Sequence, residues 1–307
     1  MNKKDASQGF PGPAPGFRFG YVALVGRPNV GKSTLLNQVL GSKIAIISHK
    51  PNTTRTRIVG VKTMPNAQMV FFDTPGIHVA KKELNKYMVA QALQSAREAE
   101  LIYLMIDAAA PWREEDLLTL SEMQKLSLPL ILVVNKIDLV EKGELLPLID
   151  RARTMAAFKE IIPVSALKND GIDRLLAASI AYLPEGPQLF PTDTLTDQAE
   201  RVWAAELVRE KIINLTSQEI PYATAVVVEE WEETEKLIHI GAVVYVERDS
   251  QKGIIIGQGG KMIKNIGTAA REEIEMILGA KIFLELRVKV SKDWTRSLAT
   301  MKKLGYT

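Results

Sequence analysis

The sequence predicts a doubly wound α/β domain with a mostly parallel sheet, followed by a smaller α+β domain. Three observations carry this. Over residues 20–183, short Val/Ile/Leu-rich runs alternate with amphipathic helical patterns, as in a parallel sheet covered on both faces. A stretch with three prolines and no period, LPEGPQLFPTDTLTD at Leu183–Asp197, then interrupts the alternation. Beyond it come one long helical pattern, paired strand patterns and a glycine-rich turn entering a helix. A chain of 307 residues suits two domains, since about 100–200 residues make one. The expected divisions are a flexible lead-in at 1–18, a first domain at 19–183, a linker at 184–197 and a second domain at 198–307.

The elements follow in order. YVALVG reads as a strand entering a first glycine loop, with a helix through Leu40. RIVGVKTM and AQMVFFD flank Pro65-Asn66, a turn signal that makes them a hairpin with one antiparallel strand. LIYLMID, PLILVVN and IIPVSA are the next strands, separated by helices. In the second domain a helix over roughly 198–215 precedes the strands ATAVVVEEW and KLIHIGAVVYVE. The glycine loop with its helix comes next, then a further helix pattern to Leu278. KIFLELRVKV alternates strictly: Ile282, Leu284, Leu286, Val288 and Val290 share one face, and Lys281, Phe283, Glu285, Arg287 and Lys289 the other. That is a half-buried strand. A short helix ends the chain, and no repeat of fixed period is present.

Composition narrows the function. Hydrophobic content of 46% with 24% charged residues is ordinary for a soluble globular protein. The net charge of +3 is too small to name a polyanionic partner, so the distribution of charge must be read instead. Without cysteine there is no disulfide framework, thiolate metal site or cysteine nucleophile, which fits the cytosol. No apolar run is long enough for a spanning helix. The N-terminal segment has lysines but no apolar h-region, so it is not expected to be a secretory signal.

The first loop, GRPNVGKS, has the spacing G-x-x-x-x-G-K-[ST] between a strand and a helix. Its expected cradle for phosphates comprises Gly26, Arg27, Pro28, Asn29, Val30, Gly31, Lys32, Ser33 and Thr34. Glycines let backbone N–H groups turn toward phosphate oxygens, and the helix dipole favours the same negative charge. Lys32 is placed to reach the β- and γ-phosphates and Ser33 to ligate Mg²⁺. Asp73, Thr74, Pro75 and Gly76 close another strand, bringing a carboxylate toward the metal (through water) and a glycine N–H toward the γ-phosphate. Asn135, Lys136 and Asp138 close a third, and Ser165, Ala166 and Leu167 a fourth. All lie at carboxyl ends of parallel strands, where open α/β sheets bind ligand.

Asn-Lys-x-Asp accounts for a guanine preference. A carboxylate at Asp138 accepts from both N1–H and the exocyclic amine of guanine, and adenine offers neither. Hydrogen-bonding sites reject a base lacking the partners by ~10⁴-fold. These motifs resemble those of the translation-factor-like GTPases. The resemblance makes Thr54 the switch threonine that completes the Mg²⁺ shell, with Thr53 the neighbouring alternative. It also casts Lys32, Thr54 and Gly76 as the catalytic machinery. Where Ras-like enzymes carry a glutamine that orients water, this chain has Ile77, so slow intrinsic hydrolysis is expected. His78 beside it reads as a solvated loop residue. Asn29 matches the asparagine with which similar GTPases hold an activating potassium ion, and is the candidate K⁺ ligand.

The second loop, IIIGQGGKMIKNI, offers no Ser or Thr to Mg²⁺. It resembles the core of a KH domain, of type II in this α+β setting, at Ile256, Gly257, Gly260, Ile263, Lys264 and Ile266. A G-x-x-G loop of that kind clamps about four nucleotides of single strand. The expected RNA contacts are Gly257, Gln258, Gly259, Gly260, Lys261, Lys264, Arg271, Lys289 and Lys292, with Lys252 and Arg296 as further candidates. From Arg248 to Thr307 there are 12 Lys/Arg against 6 Asp/Glu, whereas Phe190–Glu247 has 4 against 12, so the basic charge gathers around this loop. Trp294 reads as an anchor for the last helix rather than a stacking platform, while Phe283 fits either role.

A GTPase domain joined to a C-terminal KH domain resembles the Era family over nearly all of residues 19–307. The resemblance implies GTP/GDP and Mg²⁺ as ligands. It implies binding to the 3′ end of small-subunit ribosomal RNA during assembly of the small ribosomal subunit. A monomer in the cytoplasm, with peripheral membrane contact, is the expected state. A membrane-surface signalling GTPase that docks protein or lipid is the alternative. A GTP-regulated scaffold with negligible turnover is a further one.

Overall fold

The computed structural model describes residues 16–78, 82–217 and 219–306. Residues 1–15, most of the expected lead-in, lie outside the described residues. β1 (Arg18–Val25) enters the first loop and α1 (Lys32–Leu40) leaves it. Then come β2 (Ile58–Met64), β3 (Ala67–Asp73), α2 (Glu83–Arg97), β4 (Leu101–Asp107) and α3 (Glu114–Gln124). β5 (Leu130–Asn135), α4 (Lys142–Met155), β6 (Glu160–Pro163) and α5 (Ile172–Ile180) complete the first domain. Its strands lie in the order β2-β3-β1-β4-β5-β6, all parallel except the β2–β3 hairpin.

Every residue of β4 is buried, because helices cover both faces of the sheet. On one side Leu35 and Leu36 of α1 meet Leu175 and Leu176 of α5. On the other, Ala92 and Ala96 of α2 pack with Leu120 of α3 and Ala152 of α4. Register then positions the site. Leu24 pairs with Asp73 and Asp107 with Asn135, so β1, β3, β4 and β5 end along one rim. Strand order reverses at β1, the switch point where such sheets bind ligand. Residues 184–197 run beside the hairpin rather than away from it. Val61 N donates to Leu195 O (2.8 Å), and the Gln68 amide bonds Leu189 and Phe190. This covers edge strand β2, which would otherwise present unpaired backbone groups.

The second domain contains α6 (Glu200–Leu215), α7 (Ile220–Ala223), β7 (Ala225–Glu233) and β8 (Ile238–Val246). α8 (Asp249–Ile256), α9 (Lys261–Leu278), β9 (Ile282–Val290) and α10 (Leu298–Lys303) follow. β8 pairs antiparallel with β7 and parallel with β9. Parallel neighbours need a crossover, and α8 and α9 supply it. Val208, Ile212, Ile255, Ile266 and Ala270 from the helices pack on Ala242, Val244, Leu286 and Val288 of the sheet. The two helical patterns expected after the glycine loop are one continuous helix, α9, and α8 is an addition to the expected elements. Gly253 and three consecutive isoleucines are modest helix formers, but Ile255 is fully buried, and Gln251 closes the helix start by accepting from Glu247 N and Arg248 N.

Residues 43–57 form neither helix nor strand and lie between the domains. Ile46 enters the second domain's core beside Trp203, Leu207 and Ile274. Lys43 pairs with Glu210 at 2.7 Å and Glu273 at 2.5 Å.

Candidate functional site

The first loop needs its glycines for space. A Cβ on Gly31, whose φ is +101°, would stand 2.3 Å from Asn135 Nδ2, and one on Gly76 would stand 2.5 Å from Pro28 N. Lys32 curls across the loop and donates to Gly26 O and Arg27 O, both at 3.0 Å. Burial lowers its ammonium to about 8, so it remains largely charged near neutral pH, and an incoming anionic phosphate would favour that charged form further. Ser33 Oγ donates to Asp73 Oδ2 at 2.6 Å and lies 3.0 Å from Thr54 Oγ1. Burial pushes Asp73 up to about 6, and its Oδ1 is buried without a partner. Three hard oxygen donors gathered round an unpartnered carboxylate oxygen fit Mg²⁺. Thr54 faces this cluster, whereas the Thr53 hydroxyl turns away to Lys50 O at 2.7 Å.

A cleft of about 480 Å³ opens from this point toward the base end. Pro28, Asn29, Gly31, Lys32, Ser33, Thr34, Thr54, Thr74, Gly76, Asn135, Lys136, Asp138, Ala166 and Leu167 all line it. Asn135 ties two walls together: its Nδ2 donates to Val30 O at 2.8 Å and its Oδ1 accepts from Ala166 N at 2.9 Å. Ser165 Oγ donates to Asp138 Oδ1, which aims that carboxylate at the base end. Lys136 is held over the cleft by Asp107, 2.7 Å from its Nζ.

Other expected cradle residues stand back from the cleft. Arg27 is drawn to Asp116 at 3.2 Å and Asp107 at 3.9 Å, and Val30 belongs to the core. The Thr74 hydroxyl donates to Leu24 O at 2.7 Å, so only its backbone is left for ligand. Pro75 is absent from the lining. The cleft instead gains Ile46, Ile47, Ser48, His49 and Asn52, which no motif marks in the sequence. Their signal is positional: they precede Thr54 in an irregular loop that the second domain supports. Asn29 Nδ2 donates to His49 O at 2.7 Å and ties this wall to the first loop.

Ile77 is buried against Ala92, and its N–H donates to Gly26 O at 3.2 Å, so its side chain cannot orient water. His78 is half-buried rather than solvated. Its Nδ1 lies 2.9 Å from Gly76 O, and its Nε2 is buried without a partner.

In the second domain Gly257, Gln258, Gly259 and Gly260 join α8 to α9, with Gln258 and Gly259 exposed. Lys261 and Lys264 stand exposed on the first turns of α9. Leu284, Leu286, Val288 and Val290 face the helices yet are only half-buried, leaving an apolar strip along edge strand β9. Lys289 does not join them. It sits on the opposite face of β9 and reaches Glu229 of β7 at 3.4 Å, while Arg271 pairs with Glu275 at 3.2 Å. Both pairs lie at the surface, where ion pairs are weak. Lys292 is exposed and makes no ion pair among the described residues. Trp294 is an anchor: it is fully buried, donates Nε1–H to Ala223 O at 2.8 Å and stacks on Tyr306.

Residues 21–136 match the family model of the 50S ribosome-binding GTPase, and residues 219–295 match that of the KH domain. The chain is 52% identical over 291 residues to GTPase Era of Geobacter sp. (strain M21), covering 94% of this chain and 98% of that protein. The chain belongs to the Era family of GTPases. Two solved structures extend the likeness to three dimensions. A variant of Aquifex aeolicus Era bound to GDP·AlF4− superposes with a TM-score of 0.92, at 45% identity, covering 95% of this chain and 100% of that one. Era in complex with MgGDPNP and nucleotides 1506–1542 of 16S ribosomal RNA gives the same TM-score and identity, covering 95% and 99%. This family member is therefore a GTPase, converting GTP and water to GDP and phosphate.

Proposed function

We propose that the chain is a GTP-driven switch that binds the single-stranded 3′ end of small-subunit ribosomal RNA and assists assembly of the small subunit. The observation that carries this is the whole-chain likeness to Era solved with both MgGDPNP and 16S RNA. The exposed glycine loop beside an apolar strip supports it, because G-x-x-G modules clamp the backbone while bases lie on apolar surface. Such a role sets the protein in the cytoplasm, with any membrane contact peripheral. No helix among the described residues is long and apolar enough to cross a membrane.

In this reading Lys32 and the backbone N–H groups of the first loop hold the phosphates. Ser33, Thr54 and, through water, Asp73 hold Mg²⁺, which offsets charge on the β- and γ-phosphates. Gly76 N–H contacts the γ-phosphate, and Asp138 with Ala166 N–H reads guanine. Loss of the γ-phosphate frees Thr54 and Gly76, the order–disorder logic of such switches.

The test is binding of a labelled 3′-end strand across a salt series with GTP analogue or GDP. The expected result is binding that weakens linearly in log salt and is tighter with the analogue. Indifference to nucleotide would break the switch. Preference for anionic vesicles over the strand would favour the membrane-surface alternative.

Asn29 carries a second, smaller expectation. Its Nδ2 is engaged by His49 O, which leaves the side-chain carbonyl oxygen to a cation. Such a cation would stand where an arginine finger supplies charge in other GTPases. Turnover is expected to be higher in potassium than in sodium at equal ionic strength, by about tenfold. Equal rates would remove Asn29 as a cation ligand.

A further inference from the structure

Thr54 is the one residue of the proposed metal shell that does not belong to a regular element of the first domain. It lies in residues 43–57, which have neither helix nor strand to hold them. First-domain groups hold the ends of this segment, Asn37 at Ile44 and Ala45 and Glu98 at Arg57, but the two residues next to Thr54 are held by the second domain. Arg209, fully buried in α6, donates to the carbonyl of Thr53. Arg55 is 2% exposed and sits in the second domain. Its Nη1 donates to Thr224 O at 2.6 Å and Tyr306 Oη at 3.2 Å, and its Nη2 to Pro221 O at 2.8 Å and Tyr222 O at 3.1 Å. The guanidinium lies 5.7 Å from the Trp294 ring centroid.

This is more than adhesion. Among the described residues no carboxylate bonds Arg55; its acceptors there are three main-chain carbonyls and a phenol. A buried cation is costly unless its donors are met in a fixed geometry. The rigid guanidinium fork matches that set of acceptors far better than a flexible ammonium. Once seated, it has one place to be. Consecutive Cα atoms are about 3.8 Å apart, so while Thr53 O and the Arg55 side chain stay seated Thr54 has little travel, and its release on loss of the γ-phosphate must loosen that seat. In this seated state its hydroxyl lies 3.0 Å from Ser33 Oγ.

We propose that Arg55 is a positioning residue for GTP hydrolysis, holding Thr54 in the metal shell by its seat in the second domain. The GTPase site is therefore completed by the other domain, in the same chain. The inference rests on the reading of Thr54 as a Mg²⁺ ligand in the GTP state. By reciprocity, ligands that displace the seat must alter GTP affinity, and GTP must alter theirs.

The test uses the full chain and four proteins: wild type, Thr54→Ala, Arg55→Ala and Arg55→Lys. Turnover at saturating GTP, KM for GTP, Kd for GDP and melting temperature are measured for each. Arg55→Ala is expected to lower kcat by about tenfold while GDP affinity stays within about twofold. Arg55→Lys should recover part of kcat, since an ammonium can meet some of the same carbonyls. Unchanged kcat in Arg55→Ala, with Thr54→Ala slow, would overturn the inference and leave the Thr54 reading standing. Unchanged kcat in Thr54→Ala would overturn both. Equal weakening of GTP and GDP in Arg55→Ala would make Arg55 merely structural. If Arg55→Ala does not fold, Arg55→Lys decides by the same comparison of kcat against GDP affinity.

Discussion

Replacing Asp138 by Asn is expected to weaken GDP binding by about a thousandfold and to reverse the base preference toward xanthine. The carboxylate in this family member lies at the end of the cleft, fixed by the Ser165 hydroxyl. It can accept from guanine at N1–H and at the exocyclic amine. Hydrogen bonds to charged groups are each worth about 1.5–3 kcal/mol, so the pair supports roughly 4 kcal/mol, or three decades in Kd. An Asn amide retains one acceptor but turns its N–H₂ toward the guanine amine, donor against donor. Xanthine has a carbonyl at that position, which the amide satisfies. The Ser165 hydroxyl can still donate to the Asn oxygen, so the loop keeps its shape. Competition of GDP against XDP on the wild-type and Asp138→Asn proteins measures the effect. If both proteins prefer GDP by the same margin, Asp138 does not read the base.

The second large effect concerns the glycine loop. The pair Gln258→Asp with Gly259→Asp is expected to weaken the ribosomal 3′-end strand by about a hundredfold and to flatten the salt dependence. Two carboxylates would stand where a phosphate must approach the backbone. Geometry chooses these positions. A Cβ on Gly257, at φ +70°, would lie 2.6 Å from Met262 Cβ, so Gly257→Asp would disturb the helix start together with the contact. Gly259 has φ +57° and ψ +25° with nothing within 4 Å of an added Cβ. Asp visits that left-handed region more readily than most residues. Gln258 is exposed. An unchanged melting curve shows that the fold survives, and a filter-binding or anisotropy titration gives the affinity. Retained binding in the double variant would take RNA off the glycine loop and turn attention to protein or lipid docking.

The two predictions differ in how far sequence alone could have supported them. Asn-Lys-x-Asp and the first loop are contiguous, and their chemistry is mostly backbone and one side chain. Such motifs are legible because a strand end and a helix start suffice to aim them. The same holds for Gly257–Gly260 between α8 and α9. Lys289 was harder. Strand alternation already set it on the face opposite Leu286 and Val288, but its partner Glu229 is 60 residues away on β7. The helix through Ile254–Ile256 ran against local preference, and burial of Ile255 in the domain core overrode it.

By itself the sequence determined the doubly wound first domain, the α+β second domain, and the motifs that meet at strand ends. Periodicity and short-range spacing encode those, because each depends on neighbours within one turn or one strand. Only the tertiary structure decided which threonine faces Ser33 and Asp73, where Arg55 is seated, and that the linker lies along β2. Thr53 and Thr54 are chemically alike and adjacent in an irregular loop, so no local rule separates them. Their orientation is imposed by Arg209 and Arg55 through groups more than 150 residues away. The loop has few hydrogen bonds of its own, Thr53 to Lys50 O and Lys50 N to Ser48 among them, so around Thr54 its conformation is set largely by the second-domain groups that pack on it.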